Sequence, residues 1–323
     1  MTQKKADLLL ALISMAWGSS YLLMKLGLNH MGPFNLISLR FGIAFLLTAL
    51  LFRKRMARTD RRTIGYGALL GLLLFGLFAF LMFGLKTTSA STAGFLTSAT
   101  VVFVPLLQML ITRRKPELPV AAGAVLALTG IALLSLNGRL TLSGGALLCL
   151  AGAFTYAWQI IATNRMTHKA DGLLLGIYQL GFAGLYGLIG SLIFEHPALP
   201  ASRAEWTAVL GLAIVCSAFG FVLQPVAQKH TTPERTGLLF TLEPVFTALF
   251  AYLFLHEVLQ ARGYLGAGLV LAGVVVSGIK RKPRTVSKGS MDEPRQRFLL
   301  RSLPFAHLRR KPLLPANGLS KKP

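Results

Sequence analysis

Long apolar runs, each bounded by a short polar loop, recur along the chain from Leu8 to Ile279. Each is about 20 residues long, the length a helix needs at about 1.5 Å per residue to cross a hydrocarbon core of about 30 Å. In lipid every backbone N–H and C=O must find its partner inside the protein, which permits a helix or a closed barrel. Apolarity that is continuous rather than alternating selects the helix. Breaks at charged and Pro/Gly-rich loops give ten windows: 8–28, 34–52, 64–85, 90–112, 118–136, 144–164, 173–194, 206–228, 235–255 and 262–279. Only 14% of the 323 residues are charged, where a soluble domain carries roughly 25%. The expected fold is therefore an all-α polytopic membrane protein with ten transmembrane helices. The first window follows Lys4 and Lys5 but exceeds the roughly 7–15 residues of a signal-peptide core and lacks an Ala-x-Ala-like site, so it reads as a retained span.

The formal charge of +23 reports topology. Loops on one side carry 15 Lys/Arg, including six in RKRMARTDRR, while the other side has Lys86, Arg139, Arg203 and Arg262. The positive-inside rule places both termini in the cytoplasm, as an even span count requires. Nucleic acid is a poor reading of such a charge distribution. Cys149 and Cys216 lie inside apolar runs and form no C-x-x-C or Cys/His cluster, so neither a disulfide framework nor a metal site is indicated.

The chain also repeats itself. An offset of 143 carries Gly94, Phe103, Gly123 and Gly130 onto Gly237, Phe246, Gly266 and Gly273. An offset of 139 carries Trp17, Arg40 and Gly42 onto Tyr156, Gln179 and Gly181. Five spans per half is an odd number, so the halves are expected upside down relative to each other, with a site near the midplane between them. This divides the chain into a first half (1–137), a second half (138–282) and a basic tail (283–323) expected to be disordered. Phe298, Leu299 and Leu300 of the tail sit among arginines, a composition suited to the anionic inner leaflet.

Several segments resemble the drug/metabolite transporter superfamily, EamA type: AWGSSYLLMK, GPFNLISLRFGIAFLL, STAGFLTSATVVFVPLL, LEPVFTALFAYLFLHE and GYLGAGLVLAGVVVSG. The resemblance covers roughly residues 6–280, in family order and twice over. It implies two inverted five-helix halves, transport of small organic solutes, often outward, and residence in a cell membrane, the inner membrane in a bacterium.

Ionisable side chains deep in a span cost at least about 2.5–3.5 kcal/mol, which singles out Arg40 and Glu243. Arg40 lies roughly 9 Å from the outer end of its window and Glu243 roughly 12 Å from the inner end of its own, at 1.5 Å per residue. Lys25 is shallow enough to snorkel to the interface; Lys86, His256 and Glu257 lie at span ends. Arg40 and Glu243 read equally as an internal pair joining the halves or as groups facing a wet cavity. Pro244 and Pro225 remove helix hydrogen bonds and are candidate hinges, with a static bend as the alternative. Polar stripes run down the inner spans: Tyr156, Gln159 and Thr163 in one, Ser217, Gln224 and Gln228 in another. The candidate pathway comprises Trp17, Ser20, Tyr21, Arg40, Thr97, Tyr156, Gln159, Gln179, Gln224 and Glu243. Singly these residues read as interhelical glue; together they favour a cavity for an amphipathic or zwitterionic solute, with aromatic faces for a cationic group.

The function expected from these features is secondary-active export of amino-acid-like or amphipathic metabolites or drugs by alternating access. The chain has no G-x-x-x-x-G-K-[ST], and no cofactor is indicated. The first span offers only Asp7 at its start, which leaves proton coupling to Glu243. The alternative is import or exchange of sugar-linked or phosphorylated solutes, which should need several cavity cations. An enzyme is disfavoured, since no H-E-x-x-H or G-x-S-x-G occurs in the spans. A non-transporting scaffold is opposed by the polar stripes.

Overall fold

The computed structural model describes residues 1–88, 90–113, 115–135, 144–255 and 261–277. Arg139, His256, Glu257, the division at 137/138 and the tail 283–323 with Phe298–Leu300 lie outside the described residues. Among those described, the regular structure is helical throughout. The first run holds α1 (Gln3–Gly18) and α2 (Ser20–Gly27), the second α3 (Pro33–Leu51), with a short α4 (Arg53–Met56) in the basic loop. Then follow α5 (Arg61–Thr87), α6 (Ala90–Thr97), α7 (Thr100–Thr112) and α8 (Leu118–Ser135). The remainder comprises α9 (Gly144–Thr167), α10 (Gly172–Phe194), α11 (Arg203–Gly211), a π-helical stretch (Leu212–Phe221), α12 (Val222–Gln228), α13 (Pro233–Leu239), α14 (Leu242–Leu255) and α15 (Ala261–Ser277).

Local chemistry sets the helix starts. Thr2, Asp60, Asp171, Ser202 and Thr232 each cap a helix by accepting from a backbone N–H two or three residues on, which satisfies a donor that has no partner within the helix. Pro33 and Pro233 stand at first helical positions, where a missing N–H costs nothing. The opening N–H groups of α3, from Phe34 and Asn35, donate to the Glu195 carboxylate at 3.1 and 2.9 Å. Gly32 sits beneath, where a Cβ would lie 2.2 Å from that carboxylate.

Among the described residues, six helical runs are long and apolar enough to cross a membrane: Gln3–Gly27, Pro33–Leu51, Arg61–Thr87, Gly144–Thr167, Gly172–Phe194 and Arg203–Gln228. The windows 90–112, 118–136, 235–255 and 262–279 hold shorter or interrupted helices. The sequence reading expects one unbroken helix per window, and the structure breaks three of them, at Ser19, at Ser98–Ala99 and at Phe240–Thr241. Each break carries a hydroxyl that donates to a carbonyl one turn back: Ser19 to Ala16, Ser98 to Gly94 and Thr241 to Leu238, at 2.8, 2.8 and 2.7 Å. Such bonds compete with the helix ladder. Ser98 and Thr241 are related by the 143 offset.

The side-chain distribution suits lipid. Leu46, Leu50, Leu51, Leu110, Ile193 and Val275 point outward, while Arg40, Gln159, Gln179, Gln224 and Gln228 are 0% exposed. Glycines let the central helices touch. A Cβ on Gly130 would fall 2.4 Å from the Gly266 carbonyl oxygen, and one on Gly273 would fall 2.6 Å from that of Gly123. Gly130 and Gly273, like Gly123 and Gly266, are offset partners, so the antiparallel α8–α15 contact exchanges with itself. The α3–α10 contact behaves alike under the offset of 139: a Cβ on Gly184 would fall 2.9 Å from the Gly42 nitrogen and one on Gly181 2.8 Å from the Phe45 ring.

Overpacking a tight contact costs about 1–3 kcal/mol. Gly130→Val and Gly273→Val should therefore each lower the thermal midpoint in detergent, whereas Gly268→Val, with nothing within 4 Å of its would-be Cβ, should leave it unchanged. Equal midpoints for all three would contradict the close-approach account.

Candidate functional site

Three broken helices and the π-helical stretch surround one cavity. Ser20 and Tyr21 follow the break after α1, Thr97 precedes the break before α7, and Glu243 opens α14 just past the third break. These residues line the cavity with Trp17, Met24, Arg40, Leu77, Phe78, Leu81, Tyr156 and Phe221. Its free volume is about 20 Å³, room for roughly one water. Solute entry requires the walls to part.

Arg40 is fully buried, and its Nε donates to the Ser217 hydroxyl at 3.2 Å. Its Cζ lies 4.3 Å from the Phe78 ring centroid and 4.8 Å from that of Phe41, cation–π contacts worth about 2 kcal/mol or more when desolvated. Both terminal guanidinium nitrogens have no partner in the protein. Glu243 is half-buried, and among the described residues no ion pair joins it to Arg40. The pair is brought to one cavity without being closed on itself.

An aromatic cluster forms the floor. Trp17 packs against Phe221, Phe240 and Tyr156 at centroid distances of 4.6, 4.9 and 6.2 Å, and Tyr156 stacks on Phe240 at 5.8 Å. The Trp17 indole N–H donates to the Cys216 carbonyl within the π-helical stretch at 2.8 Å. It reaches that carbonyl because residue 220 is glycine: a Cβ there would stand 2.4 Å from the indole nitrogen. The Tyr156 hydroxyl is buried without a protein partner. π-Helical turns in long helices often accompany functional sites.

Of the ten pathway residues expected from sequence, Trp17, Ser20, Tyr21, Arg40, Thr97, Tyr156 and Glu243 line this cavity. Gln159, Gln179 and Gln224 instead form a buried chain below it. Gln224 Nε2 donates to Gln159 Oε1 at 3.1 Å, Gln159 Nε2 to Gln179 Oε1 at 3.0 Å, and Gln179 Nε2 to the Phe221 carbonyl at 2.7 Å. The last bond answers Pro225, whose missing N–H frees that carbonyl. Pro244 differs from the expected kink. It occupies the first turn of α14, where helix N–H groups lack partners anyway, and the Phe240 carbonyl accepts from the Glu243 N–H at 3.1 Å. Lys25 donates outside the cavity to the Thr88 carbonyl at 3.2 Å.

Sequence reasoning missed Phe78, Phe221 and Phe240 as site residues. The repeat held the signal: Phe78 and Phe221 differ by 143 and touch edge to face at 5.7 Å, and Phe240 is the offset partner of Thr97. Toward the N-terminal end of α1, Asp7 pairs with Arg235 at 2.7 Å and accepts from the Thr231 hydroxyl at 3.3 Å, closing that end of the bundle.

The model of the EamA-like transporter family matches the chain twice, over residues 4–136 and 143–279, and the chain belongs to that family. It is a membrane transporter, not an enzyme. An uncharacterized transporter of Archaeoglobus fulgidus is 31% identical over 86% of this chain and 98% of its own. Proteins named probable amino-acid metabolite efflux pump in Salmonella typhimurium and Escherichia coli are 28% and 27% identical, each over 85% of this chain and 95% of theirs. A solved crystal structure shares the fold with a TM-score of 0.71 at 19% identity, covering 85% of this chain and 96% of that one.

Leaving the Phe221 carbonyl and the Gln159 amide unpaired should cost about 1–3 kcal/mol per group, so Gln179→Leu should lower the thermal midpoint. Adding Pro225→Ala supplies an N–H for that carbonyl and should recover part of the loss. A fully additive double variant would contradict the assigned bond.

Proposed function

We propose that this protein is a secondary-active carrier that exports amino-acid-like or amphipathic solutes by alternating access, from the inner membrane of a bacterial cell. The observation that carries this reading is the chemistry of the cavity. Arg40, two of whose guanidinium nitrogens have no partner in the protein, and Glu243 line one cavity whose remaining walls are mostly aromatic and aliphatic. A planar guanidinium with two free donors suits a carboxylate, which it can bind through parallel hydrogen bonds. Glu243 and the faces of Trp17, Tyr21 and Tyr156 suit an ammonium. The names of the Salmonella and Escherichia relatives support a zwitterionic solute. The unused hydroxyl of Tyr156 adds a neutral donor or acceptor.

The architecture proposed is ten transmembrane helices in two inverted five-helix halves, 1–137 and 138–282, with both termini cytoplasmic. The double family match, the self-exchanging α8–α15 and α3–α10 contacts and the loop charge asymmetry support it. Broken helices meeting at mid-depth are what a carrier of this plan places around its solute. The Asp7–Arg235 pair lies at the end that the proposed topology makes cytoplasmic, and its closure supports release on the opposite side. The tail 283–323 is proposed to rest on anionic lipid.

Coupling falls to Glu243. Ionised, it holds the ammonium; protonated, it lets the ammonium go, so a proton taken from outside exchanges for the solute released there. Import of phosphorylated solutes finds less support, since Arg40 is the only cation lining the cavity among the described residues.

Counterflow of an amino-acid panel in proteoliposomes tests the proposal. Wild-type export should accelerate when the exterior is acidified. A folded Glu243→Gln protein should still exchange solute but at a rate unmoved by pH. If no panel member moves, the carrier reading fails; if Glu243→Gln retains the wild-type pH response, the coupling role fails.

A further inference from the structure

A second set of buried polar atoms lies beyond the cavity, toward the C-terminal ends of α9 and α12. Thr163 and Gln228 sit one helical turn past Gln159 and Gln224, which are already joined amide to amide at 3.1 Å. The Gln224 Oε1, both amide atoms of Gln228 and the Thr163 hydroxyl are buried with no partner in the protein. All three side chains are 0% exposed. The neighbouring main chain is engaged: Asn164 Nδ2 donates to the Gln228 and Thr231 carbonyls, each at 2.8 Å. Just beyond, Thr231 and Arg235 close on Asp7. An unpaired buried amide is unfavourable, and an apolar side chain of similar size would remove that penalty. Polar groups that are strained for partners in one state of a two-state protein have a use if the other state supplies them.

We propose that Gln224, Gln228 and Thr163 form a second solute station, a cytoplasmic vestibule that takes up water and the polar head of the solute when the Asp7–Arg235 contact opens. The inference rests on the carrier reading. The amide oxygens and the hydroxyl accept from an ammonium, and Gln228 Nε2 donates to a carboxylate. The three side chains carry no charge, so the station holds a zwitterion more weakly than the Arg40–Glu243 cavity does. That is the order an exporter needs, with weak loading first and tighter holding second. The rings of Trp17 and Tyr156 line the cavity and pack on Phe240, and passage of a solute between the two sites requires them to move.

The test needs no known solute. Thr163→Cys is placed in a protein whose Cys149 and Cys216 are replaced by alanine, and a membrane-impermeant methanethiosulfonate reagent is applied to inside-out and right-side-out vesicles. Modification is expected from the cytoplasmic face only, at least tenfold faster when Asp7→Asn loosens the seal. A thiol that stays unreactive from both faces even with Asp7→Asn, or that reacts from the outer face, overturns the proposal. Gln228→Leu supplies a second readout in counterflow. It should raise the thermal midpoint, slow flux at least fivefold and leave the solute-induced midpoint shift of the Arg40 cavity unchanged. A stabilised Gln228→Leu protein with wild-type flux overturns the station. A wild-type protein that moves no solute defeats the carrier reading instead, so the two failures are distinguishable.

Discussion

A guanidinium cannot be left in hydrocarbon, and Arg40 is fully buried within a membrane protein. The cost of that charge requires a polar interior between helices, and most of the architecture answers the requirement. Ser217 and two phenylalanine rings support the guanidinium from the side. Its two outer nitrogens are left facing a cavity that Glu243 shares. An ion pair closed on itself would have been a structural clamp. A guanidinium stacked on rings, with donors to spare, is what the proposed reading needs for a solute carboxylate.

The same constraint governs the backbone. Breaking the helices between α1 and α2, α6 and α7, and α13 and α14 exposes main-chain polarity, which lipid would not tolerate. Here the loose groups are taken up one by one. Hydroxyls at Ser19, Ser98 and Thr241 bond carbonyls of the preceding turn, Trp17 reaches the Cys216 carbonyl, and Gln179 takes the carbonyl that Pro225 frees. Polar side chains in the inner spans thus have two occupations. Some repair the backbone of discontinuous helices, and others face a cavity. Gln179 belongs to the first group, its amide held in turn by Gln159; Ser20, Tyr21 and Arg40 belong to the second.

Much of this was legible in the sequence because membrane insertion leaves a coarse and redundant signal. Six of the apolar windows coincide, to within a few residues, with helical runs long enough to cross a membrane among the described residues, since length and loop charge are set by the bilayer itself. The cavity residues stood out because a polar side chain deep in an apolar run has few reasons to be there. The helix breaks were not legible: a serine within a small polar cluster of an apolar run, such as Ser19 beside Ser20 or Ser98 beside Thr97, reads the same whether its hydroxyl back-bonds or faces a neighbour. Nor was the fate of Glu243-Pro244. The sequence suggests a kinked helix, whereas the chain restarts a helix there, placing the proline in a first turn where its missing N–H is harmless. The phenylalanines of the floor were invisible among the 21 of the chain, and only the 143-residue offset joins Phe78 to Phe221.

The central claim is that Arg40 receives a solute carboxylate. The most direct measurement compares binding of an amino acid and of its uncharged amide to purified wild-type and Arg40→Gln proteins. The wild type should bind the acid at least tenfold more tightly than the amide, and Arg40→Gln should bind both weakly and alike. An unchanged preference for the acid in a folded Arg40→Gln protein would contradict the account.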